Sequence, residues 1–194
     1  MKRLQVLGII IGILGLIACG GTKSEYQQLA DKELASGARY DSLFLGLHFG
    51  MSSEAFYKHC WELNKKGYIM EGPQNATARQ KIEVFENEAF MDFYPSFHED
   101  KIWSMPVTFQ YAAWSPWNKH LWSDKLIEEV KDLMDQWYGP GYIEVKNPGS
   151  QGSNAYIKVN GNRRISIYYA EEAKVHVDFV DLPTESAIKA AERK

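Results

Sequence analysis

The chain has 194 residues, of which 45% are hydrophobic and 13% aromatic, enough to bury the core of one domain or of two small ones. The formal net charge is −3 at pH 7, and no block of like charge occurs along the chain. A surface for nucleic acid needs a basic patch or stripe, so we exclude nucleic acid as a partner.

The first eighteen residues have the layout of a secretory signal. Lys2 and Arg3 give a positive start, and an uncharged apolar run extends from Leu4 to Ala18. This run is shorter than the roughly 20 apolar residues of a membrane-spanning helix. We predict a cleaved signal peptide over residues 1–18. The alternatives are a retained membrane helix and a signal that is cleaved without lipidation.

The junction after this run carries a cysteine. Leu16-Ile17-Ala18-Cys19, followed by Gly20, resembles the bacterial lipobox. The resemblance implies that Cys19 becomes the first residue of the mature protein and carries lipid on its sulfur and its amine. One acyl chain anchors a protein only marginally, whereas two or three give stable attachment to the membrane. Gly20 stands where Asp signals inner-membrane retention in enterobacterial lipoproteins. We therefore expect a lipid-anchored protein of the bacterial cell envelope, in the outer membrane.

The second cysteine, Cys60, has no intramolecular partner once Cys19 is lipidated. We therefore predict no internal disulfide. Phe56, Cys60 and Leu63 recur at i, i+4 and i+7, which is the spacing of one helix face. Cys60 is interpreted as a small core residue, and a reactive thiol is the alternative.

The predicted elements begin with a lipidated tether over residues 19–39 that includes a short helix from Tyr26 to Leu34. Ser42 to Phe49 alternates loosely between apolar and polar residues and predicts a strand. A helix follows from the N-cap Ser52 to Lys66, since a serine oxygen can accept from an unpaired first-turn amide. Gly67 ends this helix.

A second helix is predicted to start at Ser115-Pro116, because proline is well tolerated in a first helical turn. Trp122, Leu126, Val130, Leu133 and Trp137 form its apolar stripe. Asn160-Gly161 predicts a tight hairpin turn, since both central positions of a type I′ turn need a positive φ. The predicted strands cover residues 81–86, 89–94, 102–109, 155–159, 163–169 and 175–181, and a polar helix covers the tail from 183 to 194.

The two halves of the chain are similar at an offset of about 75 residues, which indicates an internal duplication. The matched segments are Gly67-Tyr68-Ile69 with Gly141-Tyr142-Ile143, Ile82-Glu83-Val84 with Ile157-Lys158-Val159, and Phe93-Tyr94 with Tyr168-Tyr169. We predict an α+β fold made of a tandem repeat, in which one helix is followed by about four antiparallel strands. The repeats cover residues 40–112 and 113–182, and residues 183–194 form the polar tail. Chance similarity between two α+β segments is the alternative.

Gly50-Met51-Ser52 lies between a predicted strand and a predicted amphipathic helix. This arrangement resembles that of the small envelope lipoproteins related to the outer-membrane assembly lipoproteins. It also resembles the tandem helix-plus-sheet domains of β-lactamase-inhibitor-like proteins. Those domains often carry Leu-Gly-x-Pro after the helix, and this chain departs from that pattern with Gly67-Tyr68 and Gly139-Pro140. The resemblance implies a protein-binding or structural role with no catalytic residues and no cofactor.

Catalytic and metal-binding patterns are weak in this sequence. No serine-nucleophile elbow, phosphate-binding glycine loop or His-Glu-x-x-His motif occurs. His98-Glu99-Asp100 could bind a metal, but its position in a predicted turn favours a solvated loop. His120 and Asp124 share a predicted helix face, where an ion pair or solvation is commoner than a metal. We therefore predict no metal and no enzymatic activity.

Tyr111, Trp114 and Trp117 lie in the connection between the two halves. Exposed Trp and Tyr provide large contact areas at low entropic cost, so these three are the candidate partner-binding residues. The alternatives are that they fill the seam between the halves, stack on a glycan or touch the membrane interface. The expected function is non-catalytic binding of a protein or other envelope component, on the concave face of the sheets and this connection. A glycan-binding lipoprotein and an envelope enzyme are the rival hypotheses.

Overall fold

The structure is a computed structural model that describes residues 23–146 and 154–193. The signal segment and Cys19 lie outside these ranges. Over the described residues the fold is α+β, as predicted. Its elements are α1 (Glu25–Ala35), α2 (Ser53–Lys65), β1 (Met70–Glu71), β2 (Ala78–Ile82), β3 (Ala89–Phe93), β4 (Ser96–His98), β5 (Lys101–Tyr111), α3 (Ser123–Tyr138), β6 (Ile143–Lys146), β7 (Asn154–Asn160), β8 (Arg163–Tyr168), β9 (Val175–Asp181) and α4 (Leu182–Glu192).

The strands form one antiparallel sheet in the order β1-β2-β3-β5-β9-β8-β7-β6, and the short β4 pairs separately with β5. The first part of the chain supplies β1 to β5 and the second part supplies β6 to β9. The two groups meet where β5 pairs with β9, with Val107 opposite Val177. β1 and β6 are therefore the outermost strands of the described sheet.

The core lies on one face of this sheet, under α3. Alternate residues of β5 and β9 are buried there, because successive side chains of a strand point to opposite faces. α3 covers them with Leu126, Val130 and Leu133, the central part of the predicted apolar stripe. Phe44 adds an edge-on contact to Phe93, with 5.0 Å between ring centroids.

The opposite face of the sheet is covered at its β7 end by α1 and α4. Ala30 of α1 is buried against Val159 and Leu182. Arg164 ties both helices to the sheet, since its guanidinium donates to the Tyr26 hydroxyl at 3.0 Å and to the Glu185 carboxylate at 3.1 Å. In contrast to the tether expected over residues 19–39, α1 is thus part of the folded domain.

A tight turn joins β7 to β8 as predicted, but it is centred on Gly161-Asn162 and not on Asn160-Gly161, because Asn160 pairs with Arg163 and Gly161 alone of these residues has a positive φ. This turn receives the chain that leaves α1. At Gly161, φ is +51°, and an added Cβ would lie 2.1 Å from the Ala38 carbonyl oxygen. Only glycine combines this conformation with such a close approach. Next to it, the buried Asn162 accepts from the Tyr40 N–H at 2.6 Å and donates to the Asp41 and Asp181 carboxylates. Residues 38–41 are therefore fixed to the sheet.

Three predicted elements differ in the structure. The strand predicted over residues 81–86 lies earlier in the chain, as β2 (Ala78–Ile82). Ser42 to Phe49 is a loop closed by a bridge between Ser42 and His48, although its apolar residues are buried as in a strand. Leu45 and Gly46 both have positive φ, which reverses the chain within the segment.

α2 begins after its predicted N-cap, and Ser52 accepts from the Ala55 N–H at 3.2 Å. α3 begins at Ser123 and not at Ser115. The Asn118 N–H donates to the Ser115 carbonyl at 3.1 Å and closes a turn, and a short 3-10 helix (Lys119–Leu121) follows. The Ser-Pro pair therefore starts a turn ahead of the helix.

Candidate binding surface

The three candidate residues of the connection lie in different environments. Tyr111 is 3% exposed and lies on the core face of β5. Contrary to the prediction, its ring is therefore not accessible to a partner. Trp114 is partly buried against the core, and its indole N–H donates to the Glu172 carbonyl at 3.1 Å. Trp117 is 85% exposed. The seam-filling alternative describes Tyr111 and Trp114, and Trp117 alone has the exposure that binding requires.

The histidine clusters have structural explanations. Glu99 and Asp100 form the predicted turn between β4 and β5, both with positive φ. The Asp100 carboxylate accepts from the N–H and hydroxyl of Ser53, so it stabilises the positive end of α2. His120 lies in the 3-10 helix ahead of α3, so it does not share a helix face with Asp124. Among the described residues, no group of three His, Cys, Asp or Glu side chains could hold a metal ion.

Cys60 is partly buried on α2, next to the main core. Burial raises the pKa of its thiol to about 11. The thiol is therefore protonated at neutral pH, and the thiolate, which is the nucleophile, is rare. This environment agrees with the core interpretation.

The exposed large hydrophobic side chains are not scattered. Ten are exposed in the described ranges, and seven of them line two neighbouring grooves that both include Met70. The seven are Tyr57, Trp61, Tyr68, Met70, Val84, Tyr94 and Trp137. Such clustering marks an interaction site more strongly than isolated exposed residues do.

The first groove, here called the aromatic groove, lies between α2 and the β1–β2 hairpin and has a volume of about 410 Å³. Its walls hold Tyr57 and Trp61 of α2, Met70 of β1, and Tyr94 at the end of β3. The second, the adjoining groove, has a volume of about 390 Å³ and continues past Tyr68 and Val84 to Trp137 of α3. Together they form an apolar surface along the β1 side of the molecule.

The rings of the aromatic groove are held in place by their neighbours. The Tyr57 and Tyr94 hydroxyl oxygens are 2.5 Å apart, and this hydrogen bond raises the pKa of Tyr94. The buried Phe56 packs edge-on against both rings, at centroid distances of 5.5 and 5.9 Å. The Lys65 ammonium lies 3.1 Å from the ring centroid of Trp61. A ligand would therefore meet a surface whose side chains are already ordered.

The far wall of the aromatic groove is a tight turn between β1 and β2. Gln74 and Asn75 both have φ of +57°. Asparagine tolerates this conformation, whereas it costs a residue such as Gln74 about 1–2 kcal/mol. Gly72 packs against Thr77 so closely that an added Cβ would lie 2.1 Å from the threonine hydroxyl. This turn stores local strain beside the groove, as functional sites often do.

A third groove lies beside α3, β6 and β7, and its chemistry is different. It has a volume of about 260 Å³ and is lined by Asp124, Glu128 and Glu144. Tyr169, which follows β8, also lines it. This groove is here called the acidic groove.

No family model matches the chain, and no curated protein or solved structure does so either. Within residues 23–146 and 154–193, no helix is long and apolar enough to span a bilayer.

The aromatic groove was not predicted from the sequence, although part of its pattern is present there. Tyr57 and Trp61 are spaced i, i+4 on α2, one position away from the core residues Phe56 and Cys60. A pair of large aromatic residues beside the apolar stripe is the pattern that could have indicated an exposed patch. Met70 and Tyr94 come from other elements, and only the fold brings them to the helix.

Proposed function

We propose that this chain is a lipid-anchored protein of the bacterial cell envelope, in the outer membrane, and that it binds a protein partner without catalysis through the aromatic groove. The anchor rests on the apolar segment that ends at Ala18-Cys19. The main support for the binding role is that most of the exposed aromatic side chains line one pair of neighbouring grooves.

The composition of the grooves supports a protein partner. Tyr, Trp and Met are enriched at the centres of protein interfaces, and a few such side chains supply most of the binding energy. Trp61, Tyr57 and Met70 are about half exposed, so binding would bury much additional apolar area. Their fixed positions lower the entropic cost of that burial.

We also infer that the two halves of the chain are a tandem repeat. Each half has one helix followed by four strands of the sheet: α2 with β1, β2, β3 and β5, and α3 with β6, β7, β8 and β9. The strand order is symmetric about the β5–β9 pair, and β4 is additional. This arrangement supports the resemblance to helix-plus-sheet binding domains. The aromatic and acidic grooves are then counterparts that have diverged.

A glycan is the second candidate ligand, and the polar side chains of the aromatic groove favour it. Asn64, Glu71 and Asn75 line the groove beside the exposed rings of Tyr57 and Trp61. Aromatic faces with neighbouring amide and carboxylate groups could stack on and hydrogen-bond to a sugar. Soluble envelope oligosaccharides should then quench the fluorescence of Trp61.

The test uses the lipidated protein from its native host. Intact-mass analysis should find fatty acid on Cys19, and residues 1–18 should be absent. Solubilised envelopes are then passed over the wild type, the double variant Tyr57→Ser/Trp61→Ser, and the control Trp117→Ser. A partner should be retained by the wild type and the control but not by the double variant. Unmodified Cys19, or equal retention by all three proteins, contradicts the proposal.

A further inference from the structure

The sheet has an open backbone edge beside the aromatic groove. β1 is an outermost strand, and its residues Met70 and Glu71 pair with Arg79 and Ala78 of β2. The Gly72 N–H donates to the Thr77 carbonyl at 2.8 Å. Hydrogen-bonded and non-bonded pairs alternate along an antiparallel ladder, so Glu71 directs its own N–H and C=O away from β2.

The two outer edges of the sheet differ in how they are protected. β6 alternates Glu144 and Lys146 with partly buried residues and lies beside the acidic groove. Charges on an edge strand discourage pairing with another chain. β1 carries a single charge, on Glu71, next to the exposed apolar side chain of Met70, and the exposed Tyr68 lies two residues before Met70. The β1 edge therefore suits the addition of a strand.

We propose that the partner presents an extended peptide segment that adds a strand to β1 and places alternate apolar side chains in the aromatic groove. This inference rests on the proposed function and names the partner's chemistry. Strand addition combines main-chain hydrogen bonds, which give affinity, with side-chain pockets, which give specificity. Glu71 offers the main-chain groups, and Tyr57, Trp61 and Tyr94 line the pocket.

The charges around the two grooves disfavour an acidic segment. Lys65 lies over the Trp61 ring, and Lys81 forms an ion pair with Glu88 at 2.8 Å. These cations are thus already engaged, whereas the carboxylates of Glu71 and Glu83 line the grooves. An acidic peptide would therefore gain little from this surface.

The position of the anchor favours a protein segment over the bilayer itself. α1 packs on β7, which lies six strands from β1, or about 29 Å at the usual strand spacing of about 4.8 Å. Ser24 caps α1 only five residues after Cys19, so the lipid is within about 18 Å of that helix. The anchor therefore holds the α1 side nearest the membrane and leaves the β1 edge accessible.

The experiment uses full-length lipidated protein in nanodiscs and, as probes, twelve-residue peptides selected on it from a random displayed library. The dissociation constant of the tightest peptide is measured by fluorescence anisotropy for the wild type, Tyr57→Ser/Trp61→Ser and Trp117→Ser. Each backbone amide of the peptide is then methylated in turn. We expect about a tenfold weaker affinity for the double variant and no change for Trp117→Ser. We also expect a loss of about fivefold at one peptide position and little change at its two neighbours, because the amide that donates to the Glu71 carbonyl faces β1 and the adjacent amides face away.

The outcomes separate this inference from the proposed function. If the double variant loses affinity but methylation has the same effect at every position, strand addition is wrong and the groove remains the binding site. If the groove variants bind as the wild type does, both are wrong. Circular dichroism and thermal unfolding check that the double variant is folded. The single variant Trp61→Gln, at a 58% exposed position, replaces it if it is not.

Discussion

At the scale of single residues, two aromatic side chains of the same connection have opposite surroundings. Tyr111 packs in the core, whereas Trp117 is in solvent. Tyr111→Ala should lower the free energy of unfolding by about 3–5 kcal/mol, because it removes a large buried ring and leaves a cavity. Trp117→Ala should change it by less than about 0.5 kcal/mol. Urea unfolding of both variants measures the difference, and a large loss at Trp117 would contradict the placement of its ring.

His176 gives the fold a pH dependence whose sign follows from its surroundings. Its ring stacks on Tyr168 with 5.2 Å between centroids, and burial lowers its pKa. The unfolded chain, with a histidine pKa of about 6.5, then binds more protons than the folded chain as the pH falls. Stability should therefore decrease from about pH 6.5 downwards, through the lowered pKa of the folded state.

The variant His176→Gln isolates this effect. Burial raises the pKa of the neighbouring Asp178, so its stabilising contribution is present at low pH and is lost as the pH rises through that raised pKa. The wild type contains both effects, and the variant retains that of Asp178 together with those of other shifted carboxylates such as Glu129 and Glu185. Subtracting the two curves of unfolding free energy against pH should give a loss of stability below about pH 6.5 that belongs to His176. Parallel curves would show that its protonation is not linked to folding.

At the scale of elements, the end of α3 depends on a lysine from another strand. The Lys158 ammonium donates to the carbonyl oxygens of Tyr138, Gly139 and Pro140 at 2.6, 2.6 and 2.8 Å. The last carbonyls of a helix lack intrahelical partners and form its negative end, so a cation stabilises them.

Lys158→Met should therefore lower the free energy of unfolding by about 2–4 kcal/mol, since it leaves three partly buried carbonyls without a charged donor. Lys125→Met, at an exposed position of α3, is the matched control and should be near neutral. Chemical denaturation of both variants provides the measurement. Equal stabilities would mean that solvent satisfies these carbonyls equally well.

The elements that were predicted correctly are those with local determinants. α2 has its own N-cap in Ser52, and Gly161 marks the β7–β8 turn, although the turn is centred on Gly161-Asn162, one residue after the predicted position. β1 and β6, with two and four residues, were missed because pairing with a neighbouring strand, and not their own composition, defines them. The segment from Ser42 to Phe49 has the alternation of a strand, but positive φ at Leu45 turns it back on itself.

The candidate site was predicted less well than the fold, for a related reason. Exposed aromatic residues close together in sequence suggested the connection around Trp117, but only that ring is fully in solvent. The aromatic groove is assembled from α2, β1 and the end of β3, which are distant in sequence. Its existence depends on how α2 packs beside the β1–β2 hairpin. The periodicity of the sequence predicts the helix but not this packing.

At the scale of the whole molecule, the proposed lipid anchor makes a prediction about orientation. α1 begins within a few residues of Cys19 and is fixed to the sheet through Ala30 and Tyr26. A lipid on Cys19 would therefore hold the α1 end near the bilayer, and the β1 edge would lie across the width of the sheet.

Fluorescence quenching in nanodiscs checks this orientation. Fluorophores are placed on the exposed positions Gln28→Cys and Tyr68→Cys, each in a Cys60→Ser background, in lipidated protein. Spin-labelled lipid headgroups quench only nearby fluorophores. The linker from Cys19 reaches roughly 18 Å, whereas the width from β7 to β1 is roughly 29 Å. The label at Gln28 should be strongly quenched and the label at Tyr68 weakly. Equal quenching at both positions would mean that the domain lies flat or tumbles on its anchor, and the β1 edge would then not be held away from the membrane.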